Sequence, residues 1–219
     1  MAKKVKFDYT KVKEKKLYDI LRPLGRLICK IFFKVKYVGT ENLPESGGFI
    51  LASNHIHALD PLIIAMGMKK RQMHFMGKKE LWENPFIAFC LSAVGGFPVA
   101  RGSADRTALG YADRIPAEGY VLGIFPEGTR SKVLNSAPGK AKRGVASVAS
   151  SAKCGVVPVA VINNEGLKKH SKYTVRYGKM IPYEELGFSE DATREEQIEA
   201  ADKIMAHITS LWEEGHCSE

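Results

Sequence analysis

Short apolar runs alternate along this chain with longer segments of helical periodicity, and this alternation predicts a layered α/β structure. The runs that predict β-strands lie at residues 48–53, 72–76, 97–100, 120–125, 156–162 and 173–177. The segments that predict helices lie at residues 61–68, 79–93, 104–115, 142–153 and 193–212. Strands that alternate with helices favour a central sheet, mostly parallel or mixed, with helices on its faces.

An amphipathic helix is predicted before this body, between Lys15 and Val35. Its apolar stripe recurs at steps of three and four residues and comprises Leu17, Ile20, Leu21, Leu24, Leu27, Ile28, Ile31, Phe32 and Val35. The opposite side carries Lys15, Lys16, Arg22, Arg26, Lys30 and Lys34. Such a helix can lie in the interface of an anionic membrane, or it can pack on its own domain with the basic face in water. Pro23 is expected to kink the helix or to divide it.

Length and composition favour one globular domain with a helical appendage. The 219 residues are 45% hydrophobic and 26% charged, which suffices for one well-formed core. We expect residues 1–38 to form a basic, amphipathic, membrane-associating helical segment and residues 39–219 to form the main domain. No apolar run reaches the length of about 18 residues that a transmembrane helix needs. The four scattered cysteines form no C-x-x-C pair, which favours a reducing cytoplasm.

The positive charge is distributed unevenly along the chain. Residues 1–40 contain 12 Lys or Arg against 3 Asp or Glu, whereas residues 182–219 contain 2 against 11. The formal net charge of the whole chain is +9, so anionic partners should approach the arm and the body. No nucleic acid is expected as a partner, because the basic residues of the arm are interleaved with Leu and Ile and no nucleic-acid-binding motif is present.

Candidate catalytic groups lie between the first predicted strand of the body and its helix, where Asn54-His55 precedes Asp60. A histidine that removes a proton needs a carboxylate to fix its tautomer and to stabilise the imidazolium. No signature of a nucleophilic Ser or Cys is present, so His55 would activate the substrate's own nucleophile. Alternatively, Asp60 simply caps the helix and His55 is an ordinary loop residue. A metal site at His55 and His57 is not expected, because further ligands at a suitable spacing are missing.

Three further segments carry groups that can bind an anion. The turn at residues 125–131 contains Glu127, Gly128, Thr129 and Arg130, which together can grip a hydroxylated, phosphorylated ligand. Arg101 follows a predicted strand, either as an anion hook or as an ion-pair partner of Asp105. Lys140, Lys142 and Arg143 precede a predicted helix N-terminus, where phosphate is favoured. Each segment taken alone has a structural alternative, such as turn formation or a solvated surface.

Taken in this order, the blocks resemble the glycerolipid acyltransferase family. They are His55 with Asp60, then Gly96-Phe97-Pro98-Val99-Ala100-Arg101, then Phe125-Pro126-Glu127-Gly128-Thr129-Arg130-Ser131, and finally Val157-Pro158-Val159. The closest resemblance is to the bacterial members that acylate 1-acylglycerol-3-phosphate. It implies a glycerol-3-phosphate acyltransferase-like layered fold, with residues 39–219 as the acyltransferase domain.

The resemblance also implies a mechanism. His55 would be the general base on the free hydroxyl of the acceptor, and Asp60 would orient it. The hydroxyl would attack the thioester of acyl-CoA or acyl-acyl carrier protein directly, and no cofactor or metal is implied. The residues that would bind the glycerol phosphate are Arg101, Glu127, Gly128, Thr129, Arg130 and Lys142. The fourth block would be a structural strand that lines the acyl or thioester side. Ala100 stands where many relatives carry an acidic residue.

These implications define the expected function. A cytoplasmic enzyme, peripheral on the inner face of the cell membrane, would convert lysophosphatidic acid into phosphatidic acid in phospholipid biosynthesis. One alternative keeps the chemistry but changes the acceptor to glycerol-3-phosphate, another lysophospholipid or an amino-lipid. The other alternative is a non-catalytic lipid-binding protein that retains the site residues.

Overall fold

The computed structural model describes residues 7–100, 105–131, 133, 136–163, 165 and 171–216. The β-strands are β1 Val35–Val38, β2 Phe49–Ser53, β3 Met73–Lys78, β4 Gly96–Val99, β5 Val121–Ile124, β6 Val156–Ile162 and β7 Tyr173–Tyr177. The α-helices are α1 Lys16–Phe32, α2 Asp60–Gly67, α3 Pro85–Ala93, α4 Arg106–Ala117, α5 Gly144–Ala152 and α6 Arg194–His216. Short 3-10 helices lie at Thr40–Asn42, Lys79–Glu83 and Tyr183–Leu186.

The strands form one sheet in the order β1-β7-β6-β2-β5-β3-β4. β6 and β7 are antiparallel, whereas the other neighbouring pairs are parallel. β2 and β6 are buried along their whole length, and this burial on both faces explains why their residues are apolar apart from Ser53 at the end of β2. The predicted class, a mostly parallel sheet flanked by helices, is confirmed.

Helices cover both faces of this sheet. On one face, residues of α4, α5 and α6 such as Ile115, Val145 and Ile204 pack on the sheet in one apolar core. On the other face, α1 and α2 contribute residues such as Tyr18 and Ile63, and the C-terminal part of α3 packs against the same core. α1 and α3 therefore lie on the same side of the sheet, opposite α4 and α6.

The end of the first helix differs from the prediction. α1 ends at Phe32 rather than at Val35, because Lys34 has a positive φ of 40° and turns the chain out of the helix. Val35 then begins β1, a strand that the sequence did not predict, and β1 pairs with β7. The first 38 residues thus supply a strand of the sheet as well as a helix. Pro23 lies inside α1 and does not divide it.

The predicted helix over residues 79–93 is wrong as one element. It is a 3-10 helix at Lys79–Glu83 followed by α3. The side chain of Asn84 accepts hydrogen bonds from the amides of Phe86 and Ile87 at 3.0 and 3.2 Å, and Pro85 occupies the first helical position. An N-cap followed by proline starts a new helix at this point.

Candidate active site

The parallel pairing of β2 and β5 brings the two main blocks of the sequence together. The carboxyl ends of these neighbouring strands lie at the same edge of the sheet, and each leads into one block. The amide of His55 donates to Glu127 Oε1 at 3.1 Å. The amide of Ser131 donates to the carbonyl oxygen of His55 at 2.8 Å. The loop after β2 and the turn after β5 therefore form one site.

Asn54 fixes the point where the chain leaves β2. Its buried side chain donates to the carbonyl oxygen of Val161 at 2.9 Å and accepts from the amide of Val161 at 2.8 Å. The carboxamide thus continues the β2–β6 hydrogen bonding by one further position. Sequence reasoning gave Asn54 no role of its own, although a polar amide directly after a buried strand was the available signal.

His55 and Asp60 form the predicted pair. His55 Nδ1 lies 2.8 Å from Asp60 Oδ2, the side chain of Asp60 is fully buried at 0% exposure, and that of His55 is 12% exposed. Asp60 Oδ2 also accepts from the amides of Ile56 and His57, each at 2.7 Å. With the carboxylate as acceptor, the imidazole proton belongs on Nδ1, which leaves the lone pair of Nε2 for another proton.

Asp60 does not act as a simple helix cap. Leu59 is the N-cap residue of α2, and no side chain caps this helix. The carboxylate instead binds the two amides that precede α2 together with the imidazole. The alternative in which Asp60 only caps a helix is therefore wrong, because its hydrogen bonds hold the loop that carries His55.

The imidazole is also held by an aromatic ring. The rings of His55 and Phe125 are stacked, with centroids 4.0 Å apart and an interplanar angle of 22°. Phe125 is the first residue after β5, so the same block that supplies Glu127 also positions the histidine. Asp60 on its edge and Phe125 on its face restrict the rotation of the ring.

His55 lines a cleft of about 440 Å³. Gly128 and Arg130 contribute to one part of the lining, whereas the remaining walls are mostly apolar and include Phe75, Leu81 and Leu91. Lys78, at the carboxyl end of β3, also lines the cleft, and its Nζ atom lies 3.4 Å from Oε1 of Glu80. Sequence reasoning missed Lys78, because nothing in its immediate context distinguishes it from a surface lysine. The cleft can accommodate an apolar chain beside cationic groups.

A further predicted phosphate ligand, Lys142, lies close to this cleft. Gly128 has φ 72°, and a Cβ atom at this position would lie 2.9 Å from Lys142 Nζ. The amide of Lys142 donates to the carbonyl oxygen of Pro126 at 2.8 Å. Thr129 is exposed. The structure thus brings Glu127, Gly128, Arg130 and Lys142 to His55, whereas Arg101 lies outside the described residues.

The charge of Arg130 acts on His57, in the loop after β2. Burial is the main cause that lowers the pKa of His57, and the positive charges of Arg130 and of a protonated His55 lower it further, against the opposing effect of Asp60. A neighbouring cation favours an anionic group of a ligand near this loop. Arg130 is therefore suitably placed to attract a phosphate.

The fourth sequence block lies within the sheet. Val157, Pro158 and Val159 belong to β6 in the interior of the sheet, and none of them is among the residues that line the cleft of His55. The expectation of a structural strand is confirmed, and its place on the acyl or thioester side stays a prediction. β6 acts through Val161, which binds Asn54.

The described residues contain neither a metal-ligand cluster nor a membrane-spanning helix. Among them, no group of three or more His, Cys, Asp or Glu side chains could hold a metal ion. No helix in the described part of the chain has both the length and the apolar character needed to cross a membrane.

Comparison with known proteins identifies similar chains. Residues 34–162 match the family model described as Acyltransferase. The chain is 35% identical over 144 residues to the 1-acyl-sn-glycerol-3-phosphate acyltransferase of Bacillus subtilis. The alignment covers 66% of this chain and 70% of that protein. It is 27% identical over 208 residues to the protein of the same name from Streptococcus pneumoniae. This alignment covers 92% of this chain and 75% of that protein.

A solved structure shares the fold. The crystal structure of the 1-acyl-sn-glycerophosphate acyltransferase PlsC from Thermotoga maritima superposes with a TM-score of 0.64 at 22% sequence identity. The superposition covers 87% of this chain and 79% of that chain. It supports the layered architecture described above.

Proposed function

Because this chain belongs to the Acyltransferase family, a family of O-acyl transfer, we propose that it moves a fatty acyl group from a thioester to the free hydroxyl of lysophosphatidic acid. The relatives named 1-acyl-sn-glycerol-3-phosphate acyltransferase support this acceptor. The observation that carries the proposal is the 2.8 Å contact between His55 Nδ1 and Asp60 Oδ2 at the wall of a cleft. The product is phosphatidic acid.

In the proposed reaction, Nε2 of His55 takes the proton of the acceptor hydroxyl as its oxygen attacks the thioester carbonyl carbon. Asp60 stabilises the imidazolium that forms, because its buried carboxylate already accepts from Nδ1. The tetrahedral intermediate then expels the thiolate, which receives the proton from His55. The acyl ester bond forms and the thioester bond breaks, and the histidine ends in its starting state.

The acceptor is oriented by the turn after β5. Arg130 and Lys142 supply positive charge for the phosphate, and the positive φ of Gly128 allows the backbone to approach it without a side chain. The apolar side chains of the cleft, such as Phe75 and Leu91, suit an acyl chain. Acyl-CoA and acyl-acyl carrier protein both present the thioester that this chemistry requires.

Acceptor and donor identity are tested by one matrix of assays. Thiol release is measured with each of the two thioesters against lysophosphatidic acid, glycerol-3-phosphate, another lysophospholipid and an amino-lipid. We expect rapid release only when lysophosphatidic acid is present. A higher kcat/KM for another acceptor would overturn the acceptor assignment. Thiol release that stays at the uncatalysed rate with every acceptor would favour the non-catalytic alternative.

The proposal includes attachment to an anionic membrane through α1. The face of α1 that packs on the body contains Tyr18, Arg22, Gly25 and Cys29, and a Cβ atom at Gly25 would lie 2.7 Å from the sulfur of Met66. The apolar stripe faces away from the body and is exposed. Its exposed fractions are 73% at Ile20, 55% at Leu24, 52% at Leu27 and 50% at Ile31. An exposed apolar stripe of this length suits the lipid interface.

Two features support this orientation. The exposed Lys16 and Lys30 lie beside the apolar stripe, where they can meet anionic head groups. Leu81, in the 3-10 helix after β3, and Phe86, in α3, are also exposed apolar residues, at 42% and 75%. Since Leu81 lines the catalytic cleft as well, an acyl chain can pass from the bilayer towards His55 along apolar surface.

Membrane attachment is tested with vesicles that contain phosphatidylglycerol. The variant Leu24→Ser/Leu27→Ser/Ile31→Ser loses about 1 kcal/mol of burial per half-exposed side chain, so its affinity should fall roughly a hundredfold. The matched control is Leu109→Ser/Ile198→Ser, which changes exposed apolar residues of α4 and α6 on the other face. Equal affinity of the α1 variant and the control would contradict the orientation.

A further inference from the structure

A second cleft lies beneath the extended chain of residues 7–15, which we call the strap. Its volume is about 410 Å³. The strap is fixed at both ends: the hydroxyl of Tyr9 donates to the carbonyl oxygen of Pro98 at 2.8 Å, and the amide of Lys15 donates to Gln72 Oε1 at 2.7 Å. The strap cleft is therefore a defined part of the fold, and none of its lining residues lines the cleft of His55.

The strap cleft is lined by three lysines, Lys11, Lys13 and Lys15. All three lysines are among the residues that line this cleft, while Val12, between Lys11 and Lys13, is buried in the core. Asp8 is the one acidic residue among those that line the cleft, and its carboxylate already accepts from the amide and the hydroxyl of Thr10 at 2.9 and 2.6 Å. The surplus of positive charge favours an anion with more than one negative charge.

His74 supplies a second, independent indication of a ligand. It lines the strap cleft and is only 4% exposed, and its Nε2 atom has no hydrogen-bond partner within the described part of the chain. Burial, and then the charge of Lys15, lower the pKa of His74 to about 4, so the imidazole is neutral at neutral pH. A buried polar atom without a partner costs roughly 1–3 kcal/mol. A polar group of a ligand would remove this cost.

The remaining lining is aromatic. Phe7, Phe89 and Tyr111 line the same cleft, and the rings of Phe7 and Tyr111 are in edge contact with centroids 5.6 Å apart. Aromatic walls suit a flat ring, through stacking or edge contacts. Three cations, an unpaired imidazole nitrogen and aromatic walls together are typical of a site for a phosphorylated molecule that contains an aromatic base.

We propose that the strap cleft binds a nucleotide, with its phosphates on Lys11, Lys13 and Lys15 and its base against the aromatic walls beside His74. Two sources share this chemistry: the nucleotide end of acyl-CoA and a free nucleotide. β3 connects the two clefts, since His74 lines one and Lys78, four residues later, lines the other. The strand rise places these positions about 13 Å apart, a gap that an extended pantetheine arm can cross. The assignment to acyl-CoA rests on the proposed function.

Binding is tested directly with adenosine 3′,5′-bisphosphate and the full chain in a calorimetric titration. The variant Lys11→Ser/Lys13→Ser/Lys15→Ser should bind the probe about tenfold or more weakly, with a smaller dependence of Kd on salt. The control Lys69→Ser/Lys172→Ser/Lys179→Ser removes the same charge from exposed positions elsewhere and should stay within about twofold of the parent chain. Equal losses in both variants, or no binding by the parent chain, would overturn the site.

A second variant tests the buried imidazole. His74→Gln should weaken binding of the probe about threefold to tenfold while the unfolding transition of the variant remains cooperative. Unchanged affinity in this folded variant would remove His74 from the site and overturn the proposal as stated.

The two sources are separated by steady-state kinetics of the lysine variant. If the ligand is the donor, KM for acyl-CoA rises while KM for an acyl-pantetheine thioester, which lacks the nucleotide, is unchanged. If the ligand is a free nucleotide, KM for both donors is unchanged although the probe binds more weakly. Titration of His55→Ala with the probe keeps the two proposals distinct, because this variant leaves the strap cleft intact. If His55→Ala still binds the probe, the strap-cleft proposal is supported whether or not this variant turns over substrate.

Discussion

Replacing Asp60 by asparagine separates the charge of this carboxylate from its structural role. Asp60 Oδ2 accepts from Nδ1 of His55 and from the amides of Ile56 and His57. The other oxygen, Oδ1, is buried without a hydrogen-bond partner within the described residues. In Asp60→Asn the amide oxygen can keep the three donors, and the NH₂ group can take the place of Oδ1. We therefore expect a folded protein, destabilised by about 1–3 kcal/mol.

The loss of activity should be much larger than this structural cost suggests. The N···O distance of 2.8 Å in the His55–Asp60 pair puts the centres of charge about 4 Å apart once the imidazolium forms. At an effective dielectric constant of about 20 the attraction at that separation is about 4 kcal/mol. Because about 1.4 kcal/mol corresponds to a factor of ten in rate, kcat should fall about a thousandfold.

The assay is the initial rate of thiol release in the presence of lysophosphatidic acid, together with thermal unfolding of each variant. Asp113→Asn is the matched control, because Asp113 is a half-buried carboxylate on α4, on the opposite face of the sheet, whose pKa is raised by burial. Its turnover should stay within about twofold of the parent chain. Turnover of folded Asp60→Asn within about tenfold of the parent would refute the electrostatic role of Asp60.

Three further predictions concern other residues. Glu127→Ala should lower kcat/KM about tenfold to a hundredfold, because the amide of His55 loses its acceptor, whereas Glu127→Gln should restore most of it in the same assay. Gly128→Ala should destabilise the fold by about 1–2 kcal/mol in chemical denaturation, because φ is 72° and the new Cβ would meet Lys142, whereas Gly110→Ala in α4 meets no atom and should be stabilising. The pKa of His74 is lowered to about 4, below the ordinary 6.5, so the unfolded chain takes up a proton as the pH falls below 6.5 and the native chain does not until pH 4. The parent should thus lose about 2 kcal/mol of unfolding free energy between pH 7 and pH 5 that His74→Gln does not lose.

Much of the sheet could be predicted from sequence because its central strands are buried on both faces. Apart from Ser53 at the end of β2, the residues of β2 and β6 are all apolar, and a short apolar run between turn residues is a strong local signal. β1 has no such signal: its Val-Lys-Tyr-Val sequence follows an amphipathic helix directly, and the strand exists because β7 lies beside it. Pairing between distant segments is not encoded in local periodicity.

The orientation of α1 shows a second limit of sequence. Periodicity located its apolar stripe but could not decide which face packs on the body. That choice depends on Gly25, whose missing side chain lets the helix approach Met66 closely, and on the buried Tyr18 and Cys29. The sequence favoured the membrane-associating alternative, and the structure leaves Leu24 and Leu27 exposed.

The candidate site was predicted in composition but not in its internal bonds. The resemblance to a known family identified His55, Asp60 and Glu127 as site residues. It did not predict that Glu127 accepts from the backbone of His55, because that contact requires β2 and β5 to be neighbours in the sheet. The stacking of Phe125 on the imidazole depends on the same adjacency.

The central claim is that His55 removes the proton from the acceptor hydroxyl, and the turnover of His55→Ala tests it most directly. The matched control is His57→Ala, which removes another imidazole from the same loop. Nδ1 of His57 accepts from the amide of Leu59, whereas Nδ1 of His55 bonds to Asp60. We predict that His55→Ala binds lysophosphatidic acid as the parent chain does but releases thiol at least about a thousandfold more slowly, while His57→Ala stays within about tenfold. Parent-like turnover by folded His55→Ala would contradict the mechanism.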